Sequence, residues 1–318
     1  MKILITGGAG YIGSVTSSYL LDIGHEINIL DDLSTGNKEF IDDRTKFYLG
    51  SILDQHSLDS ALKNCEAVIH LAGQAIVSDS FKRSDEYVKV NHFGTRQVLE
   101  SMIRNSVETI VFSSTCAVYG EPNNQSITEK IAPDPINPYG KSKHLADLEI
   151  SNFTQKYGLN STSLRFFNVA GAYRNSKNKL IGEAHARETH LIPRILKNRS
   201  IEIFGNDFET PDGTCVRDYV HVSDIAKAIY LSLENKSSAK HKVYNLGSGK
   251  GYSVLEVIHT VEKVLNTKIN VSVTGKNRGD PAYLVGNGNL AENEIGWKCL
   301  LSLEQMIEDT QNFFDSLI

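Results

Sequence analysis

Short apolar runs recur along the first half of the chain, and between them apolar residues return at helical rather than alternating spacing. KILIT (2–6), EINIL (26–30), KFYLG (46–50), AVIHLA (67–72), TIVFSS (109–114) and STSLRF (161–166) read as strands. The stretches around 12–23, 57–64, 86–105 and 140–157 read as helices. Strands alternating with helices predict parallel β-α-β units, hence an α/β fold with a Rossmann-like doubly wound parallel sheet. After about residue 168 the regularity weakens. Residues 169–190 are polar and irregular and read as one long loop, the kind that is more often functional than idle. IEIFG (201–205), a helix over 224–235 and KVYNLG (242–247) follow. Ser253/Glu256 and Ser302/Gln305 carry the Ser-x-x-Glu/Gln signature of a helix start. The expected division is a Rossmann-like domain over 1–167, with a return at 218–247, and a smaller mixed α/β C-terminal domain over 168–318.

Composition narrows the class. The chain has 318 residues, 40% of them hydrophobic and 22% charged, as in ordinary globular proteins. A net charge of −5 gives no electrostatic reason to expect nucleic acid or an anionic membrane surface. Cys65, Cys116, Cys215 and Cys299 lie far apart without a C-x-x-C pair, so free thiols in a reducing cytoplasm are expected and a metal site is not. MKILITGG reads as a strand entering a glycine turn rather than as a signal peptide, and no apolar run approaches the ~18 residues of a membrane span.

The first chemical signal is TGGAGYIG (6–13), after the first strand and at the start of the first helix. Gly7, Gly10 and Gly13 permit a tight turn, close approach of backbone to a pyrophosphate and close helix–strand packing. Alone, the triplet is equally a plain turn. The second strand, however, ends in Asp31 and Asp32, where a carboxylate accepts from ribose hydroxyls and repels a 2′-phosphate. NAD is therefore favoured over NADP, and a merely solvated strand end is the weaker reading.

The second signal is a Tyr-x-x-x-Lys spacing, of which chance predicts about one copy in a chain of this composition. There are two: Tyr139–Lys143 in NPYGKSK and Tyr173–Lys177 in YRNSK. The latter has small, charged and amide neighbours and reads as a solvated loop. The former opens a helix behind Pro138, with Leu145, Leu148 and Phe153 at roughly helical spacing. Residues i and i+4 share a helix face, so the lysine reaches the cleft of the phenol. A phenol of pKa about 10 becomes a useful base at neutral pH only beside cations. Ser113, Ser114 and Thr115, at the C-terminal end of a strand, offer a hydroxyl to the reacting oxygen, although turn formation also accounts for Ser113 and Ser114.

TGGAGYIG, the Ser/Thr cluster and YGKSK, in this order, resemble the extended short-chain dehydrogenase/reductase superfamily. LRFFNVAGA (164–172), HLIPRIL (190–196), IFGNDFETPDGTCVRDYVHVSDIA (203–226), RGDPAYLV (278–285) and IGWKCLLSLEQMIED (295–309) narrow the resemblance to the UDP-glucose (UDP-galactose) 4-epimerase family, over nearly the whole chain. The resemblance implies reversible C4 epimerisation of a UDP-hexose through a transient 4-keto sugar, with tightly held NAD. Tyr139 would take the 4-hydroxyl proton, Lys143 would lower the tyrosine pKa and hold the nicotinamide ribose, and Thr115 would bond the 4-oxygen. Cofactor contacts carry over to Gly7, Gly10, Tyr11, Ile12, Gly13, Asp31, Asp32, Leu33, Ser34, Thr35, Gly36, Ser51, Ile52, Leu71, Ala72, Gly73, Gln74, Asn91 and Phe167. Contacts to the nucleotide sugar carry over to Asn168, His190, Leu191, Ile203, Phe204, Arg217, Asp280 and Leu284, the last as a gate. Arg217 offers a diphosphate a forked, permanent charge, which is a better account than a surface pair with Asp218. The family also implies a homodimer through helices, with 86–105 and 140–157 as candidates.

Three positions depart from the family's pattern. Ser51 stands in place of an adenine-contacting Asp, Asn277 in place of an Arg, with Lys276 and Arg278 beside it, and Ala75 where some members carry Lys. The alternatives are a 4-epimerase of a UDP-pentose, UDP-uronate or UDP-N-acetylhexosamine, a nucleotide-sugar 4,6-dehydratase, and a non-catalytic NAD sensor. Dehydratases place acids directly after the catalytic Thr, where this chain has Cys116 and Ala117. A sensor could dispense with the Tyr–Lys–Thr set.

Overall fold

The computed structural model describes residues 1–122, 126–185, 188–235, 240–276 and 279–317. Fifteen strands are formed among them: β1 (Lys2–Thr6), β2 (Glu26–Asp31), β3 (Lys46–Leu49), β4 (Ala67–His70), β5 (Thr109–Thr115), β6 (Asn160–Phe166), β7 (Asn168–Ala170), β8 (Ala172–Arg174), β9 (Leu180–Gly182), β10 (Ser200–Phe204), β11 (Val216–His221), β12 (His241–Leu246), β13 (Gly251–Ser253), β14 (Asn270–Thr274) and β15 (Tyr283–Leu284). The helices are α1 (Tyr11–Asp22), α2 (Gln55–Leu62), α3 (Val77–Ser80), α4 (Ser84–Tyr87), α5 (Gly94–Arg104), α6 (Pro138–Tyr157), α7 (Leu191–Asn198), α8 (Val222–Glu234), α9 (Val254–Leu265), α10 (Asn289–Ile295) and α11 (Leu303–Asp315).

The main sheet runs β12-β6-β5-β4-β1-β2-β3, and every pairing in it is parallel. Its central strands are apolar on both faces, as a sheet covered by helices on both sides requires: Ile3, Leu4 and Ile5 of β1 are fully buried. Odd members Ile3 and Ile5 pack with Ile225, Ala228 and Ile229 of α8. Leu4 faces the other layer, with Val98 and Leu99 of α5 and Ala146 and Ile150 of α6. The strand order reverses between β1 and β4, which opens a crevice at the carboxyl ends of the strands.

The smaller part carries its own core of Ile192 and Ile195 (α7), Ile201 and Ile203 (β10), Val257 and Val261 (α9), and Met306 and Ile307 (α11). Both capping signatures hold. Ser253 and Glu256 form a reciprocal capping box, and Ser302 accepts from the Gln305 N–H.

Two expectations about local structure are corrected. Residues 169–190 are not one loop. Residue 169 lies in β7, paired with β11, and β8 and β9 form an antiparallel hairpin. Three-residue strands are too short to show a periodicity. Residues 86–105 are not one regular helix either. A π-helical turn, Val88–Phe93, joins α4 to α5 and contains the buried Asn91. Such turns insert a residue without breaking the apolar stripe, so sequence spacing conceals them.

Candidate active site

β1 delivers its last residue, Thr6, to the glycine turn. Gly7 has φ +73°, and a Cβ there would lie 2.6 Å from the Ala72 nitrogen; one on Gly13 would lie 2.1 Å from the Gly7 carbonyl oxygen. The cradle is therefore closed to any side chain. Gly10 precedes α1 without a side-chain cap, so the first-turn N–H groups remain for an anion. Asp31 accepts from the Ala9 N–H at 2.9 Å and the Leu33 N–H at 2.8 Å, and burial raises its pKa. It organises the glycine turn while lining the cleft beside Asp32, Ser34 and Thr35. These residues fit a dinucleotide: a pyrophosphate-sized cradle, a helix start and a carboxylate at the ribose end.

Asn137 caps α6 by accepting from the Gly140 N–H at 2.8 Å, and Pro138 occupies the first turn. Tyr139 and Lys143 follow on one face, opposite the end of β5. Thr115 and Tyr139 line the cleft together, and the Thr115 hydroxyl favours the ionised form of the phenol. The Lys143 ammonium donates to Ser113 Oγ at 3.4 Å and lies 4.2 Å from the Phe112 ring centroid. Burial lowers Lys143 to about 7, opposed by Asp147 one turn further along α6. Burial likewise pushes the Tyr139 phenol up to about 12, with the Thr115 hydroxyl opposing. In the protein alone desolvation dominates both groups, and the ammonium is aimed at Ser113 and Phe112.

Arg217 on β11 lies 3.7 Å from Asp280 and donates to the Val216 carbonyl. Asp218 is buried and accepts from the backbone N–H groups of Ser248, Gly249 and Gly286, so no Arg217–Asp218 surface pair exists. His190, the residue before α7, directs Nδ1 at the buried Glu183 carboxylate. Desolvation inside the cleft would lower the His190 pKa, but Glu183 and Glu188 outweigh it and raise the pKa above its ordinary value, while more than half of the side chain stays exposed. Glu183, His185 and His190 place their ligand atoms within 4.8 Å of one another, with the Glu183 carboxylate between the two rings.

These elements surround one cavity of about 750 Å³. It is lined by Gly7, Gly10, Tyr11, Ile12, Gly13, Asp31, Asp32, Ser34, Thr35, Ser51, Ile52, Leu71, Ala72, Gly73, Gln74, Thr115, Tyr139, Lys143 and Phe167, and by Asn168, His190, Leu191, Ile203, Phe204, Arg217, Asp280 and Leu284. Three expected contacts do not line it. Leu33 takes a left-handed conformation (φ 58°) in the turn after Asp31, and Gly36 packs on Ala9. Asn91 bonds the Gln74 N–H (2.8 Å) and carbonyl (3.0 Å) and the Ser142 hydroxyl (2.9 Å), so it braces the cleft wall from behind. Asn277 and Arg278 lie outside the described residues, and Lys276 is bound to Asp207.

The second Tyr-x-x-x-Lys is not a solvated loop. Tyr173 is half-buried in β8 and donates to Asp22 at 2.8 Å, outside the cavity. The sequence reading missed Glu183, Asn137 and Asp147. Only Asn137, an N-cap type directly before a proline, carried a local signal.

A model of the NAD dependent epimerase/dehydratase family matches residues 3–247. A UDP-glucose 4-epimerase of Corynebacterium glutamicum is 40% identical, covering 100% of this chain and 97% of its own length. One of Halalkalibacterium halodurans is also 40% identical, covering 98% and 95%. Among solved structures, UDP-glucose 4-epimerase from Bifidobacterium longum in complex with NAD+ and UDP superposes with a TM-score of 0.93, at 32% identity over 99% of this chain and 98% of that one. The Brucella ovis enzyme in complex with NAD gives 0.92, at 35% identity over 98% of both chains.

Proposed function

The chain belongs to the NAD dependent epimerase/dehydratase family, with UDP-glucose 4-epimerases as its relatives over its full length, and on that premise we propose that it interconverts the C4 epimers of a UDP-hexose, UDP-glucose and UDP-galactose, with NAD held throughout. The observation that carries this reading is the meeting of Thr115, Tyr139 and Lys143 in one cavity with the glycine cradle on one side and Arg217 and His190 on the other.

NAD, when bound, supplies the acceptor and the returning donor of the sugar's C4 hydride, and its oxidised ring adds a positive charge. Gly7, Gly10 and Gly13 admit its pyrophosphate, Asp31 and Asp32 its adenosine ribose, and Lys143 its second ribose. Arg217, paired loosely with Asp280, grips the substrate diphosphate by its fork. Tyr139 takes the proton of the 4-hydroxyl and later returns it, with the Thr115 hydroxyl holding the 4-oxygen at the phenol. A neutral phenol at about 12 is a poor base until cations gather beside it. Proton removal is thereby confined to the loaded cleft. The 4-keto sugar, planar at C4, turns within the apolar part of the cavity near Phe204 and Leu284, and presents its other face.

Dehydration is disfavoured because Thr115 is followed by Cys116, whose buried thiol is pushed up to about 12, and by Ala117. Exposed Phe93, Leu145, Leu148 and Tyr157, on or beside α5 and α6, supply an apolar face for a homodimer. Free Cys65, Cys116, Cys215 and Cys299 favour the cytoplasm. No helix among the described residues is long and apolar enough to cross a membrane.

The test is to purify the protein, release and identify bound dinucleotide, and incubate it with UDP-glucose, UDP-galactose, UDP-N-acetylglucosamine and UDP-xylose. Conversion between the first two is expected. Bound NAD with no turnover of any UDP-sugar would refute the reading.

A further inference from the structure

The Tyr173–Lys177 pair, which takes no part in the cavity, belongs to a second polar structure. After β2 the chain runs as a strap, residues 32–45, across the ribose end of the cleft. Its inner side belongs to the cofactor site: Ser34 and Thr35 line the cavity, and the Asn37 N–H donates to the Ala9 carbonyl of the glycine turn at 2.9 Å. Its outer side is tied to the β8–β9 hairpin, which comes from the other part of the chain.

Asp22, the last residue of α1, is the node. Its carboxylate accepts from the Tyr173 hydroxyl and the Ser176 N–H, each at 2.8 Å, and from the Ser176 hydroxyl. It also meets the Arg44 guanidinium at 2.9 Å. Arg44 in turn clamps Asp42 on the strap with Nε at 2.9 Å and Nη2 at 2.7 Å. Lys177 pairs with Asp43, and Lys179 donates to the Glu39 carbonyl at 2.6 Å. The hairpin turn is itself rigid: buried Asn175 accepts from the Lys177 and Lys179 N–H groups. The base of the hairpin is tied to the start of α1 through Tyr11, whose hydroxyl donates to the Gly171 carbonyl at 2.6 Å. Burial opposes the charge on Asp22, but the donors from Ser176, Tyr173 and Arg44 outweigh it and hold the carboxyl below its ordinary pKa.

We propose that the β8–β9 hairpin is a latch that, through Asp22, Tyr173, Ser176 and Arg44, keeps the strap closed over the bound dinucleotide, making these four positioning residues for NAD retention. The proposal rests on the NAD reading above and gives it a mechanism. Release requires the strap to lift, carrying Ser34 and Thr35 away from the cleft, and lifting breaks the Arg44 and Lys177 contacts together. The two halves of the chain thus share the task, the first cradling the dinucleotide and the second locking it in.

The experiment uses the full chain as purified. NAD retention is followed by dinucleotide content per chain after repeated gel filtration, and by the release rate on dilution into an NAD-scavenging enzyme. Asp22→Ala and the double variant Tyr173→Phe/Ser176→Ala are compared with Tyr244→Phe, which removes another tyrosine–carboxylate bond, to Glu294, outside the cavity lining. With each lost bond worth about 1 kcal/mol, release should be about tenfold faster or more in both latch variants. Added NAD should restore their kcat to within about twofold of the unmodified protein, and Tyr244→Phe should release NAD at the unmodified rate. The latch is overturned if both latch variants retain NAD as long as the unmodified protein. It is equally overturned if Tyr244→Phe releases NAD as fast as they do, since general loosening would then explain the loss. An unmodified protein that neither contains nor binds NAD would refute the functional reading, and the latch with it.

Discussion

Lys143 holds its ammonium 4.2 Å from the centroid of the Phe112 ring, deep in the cleft, so this buried cation is solvated by a π face and one serine hydroxyl. Burial lowers its pKa to about 7, against about 10.5 in an unfolded chain. Between those values the unfolded state binds the extra proton, so this group makes the fold more stable as pH rises from 7 towards 10. The slope approaches ~1.4 kcal/mol per pH unit once Lys143 is neutral in the fold. Urea unfolding at pH 7, 8 and 9 should therefore show a stability gain that Lys143→Met, similar in length but uncharged, removes. Parallel pH dependences in the two proteins would mean that Lys143 is not buried in this way.

Tyr139→Phe should lose most epimerisation, by about 10²-fold or more, since on the proposed mechanism it deletes the proton carrier but keeps the ring. Tyr173→Phe, measured with saturating NAD, should keep kcat within about twofold, because its hydroxyl contacts Asp22 and not the cavity. Interconversion of UDP-galactose and UDP-glucose followed by NMR gives both numbers. Equal losses would assign the chemistry to neither motif in particular.

His190 owes its charge to its neighbours. Glu183 is buried with its carboxylate on Nδ1, and Glu188 lies 3.7 Å away. Although more than half of the His190 side chain is exposed, Glu183 and Glu188 raise its pKa above 6.5, so it carries its charge through neutral pH and loses it in the alkaline range. In Glu183→Gln, binding of the anionic UDP-sugar should weaken at a lower pH, displaced towards 6.5, with KM rising more than kcat falls. A pH profile of KM unmoved by the substitution would show that the His190 charge is not used.

The sequence carried the sheet and the grouping of Tyr139, Lys143 and Thr115 because both rest on local patterns. Parallel strands buried on two faces are continuous apolar runs, and Tyr139, Lys143 and Thr115 sit at a helix start and a strand end whose neighbours announce them. The latch and the Glu183–His190 pair left no such trace. Asp22 meets Tyr173 across 151 positions, and β8 and β9 have three residues each, too few for a period. The strength of a local motif also misled once. The second Tyr-x-x-x-Lys looked idle because its neighbours are polar, whereas those polar neighbours are its partners. Electrostatics were the least legible feature, since the values for Tyr139 and Lys143 are set by burial, which only the folded chain defines.

Asn91 shows how a residue beside a site can act without entering it. Its side-chain oxygen accepts from the Gln74 N–H, and its amide donates to the Gln74 carbonyl and to Ser142 on α6. The π-helical turn carries it to that position, and a Cβ on Gly73 would lie 2.8 Å from its oxygen, so the wall between β4 and α6 leaves little slack. Asn91→Ala would leave the part-buried Gln74 N–H and carbonyl without that partner, costing roughly 1–3 kcal/mol for each group that water cannot reach, while the Ser142 hydroxyl keeps its bond to the Tyr139 carbonyl. Two effects should appear together. Thermal unfolding should shift down by several degrees, taking ~2–4 °C per kcal/mol for a chain larger than about 150 residues. NAD affinity should fall as well, because Leu71, Ala72, Gly73 and Gln74 all line the cleft. Asn91→Asp keeps the acceptor for the Gln74 N–H but loses both donors, so its loss should be intermediate or, if the carboxylate is charged, greater. Calorimetry with and without NAD separates the contributions. A variant with lowered stability but undiminished NAD affinity would show that the wall does not need bracing to hold the cofactor.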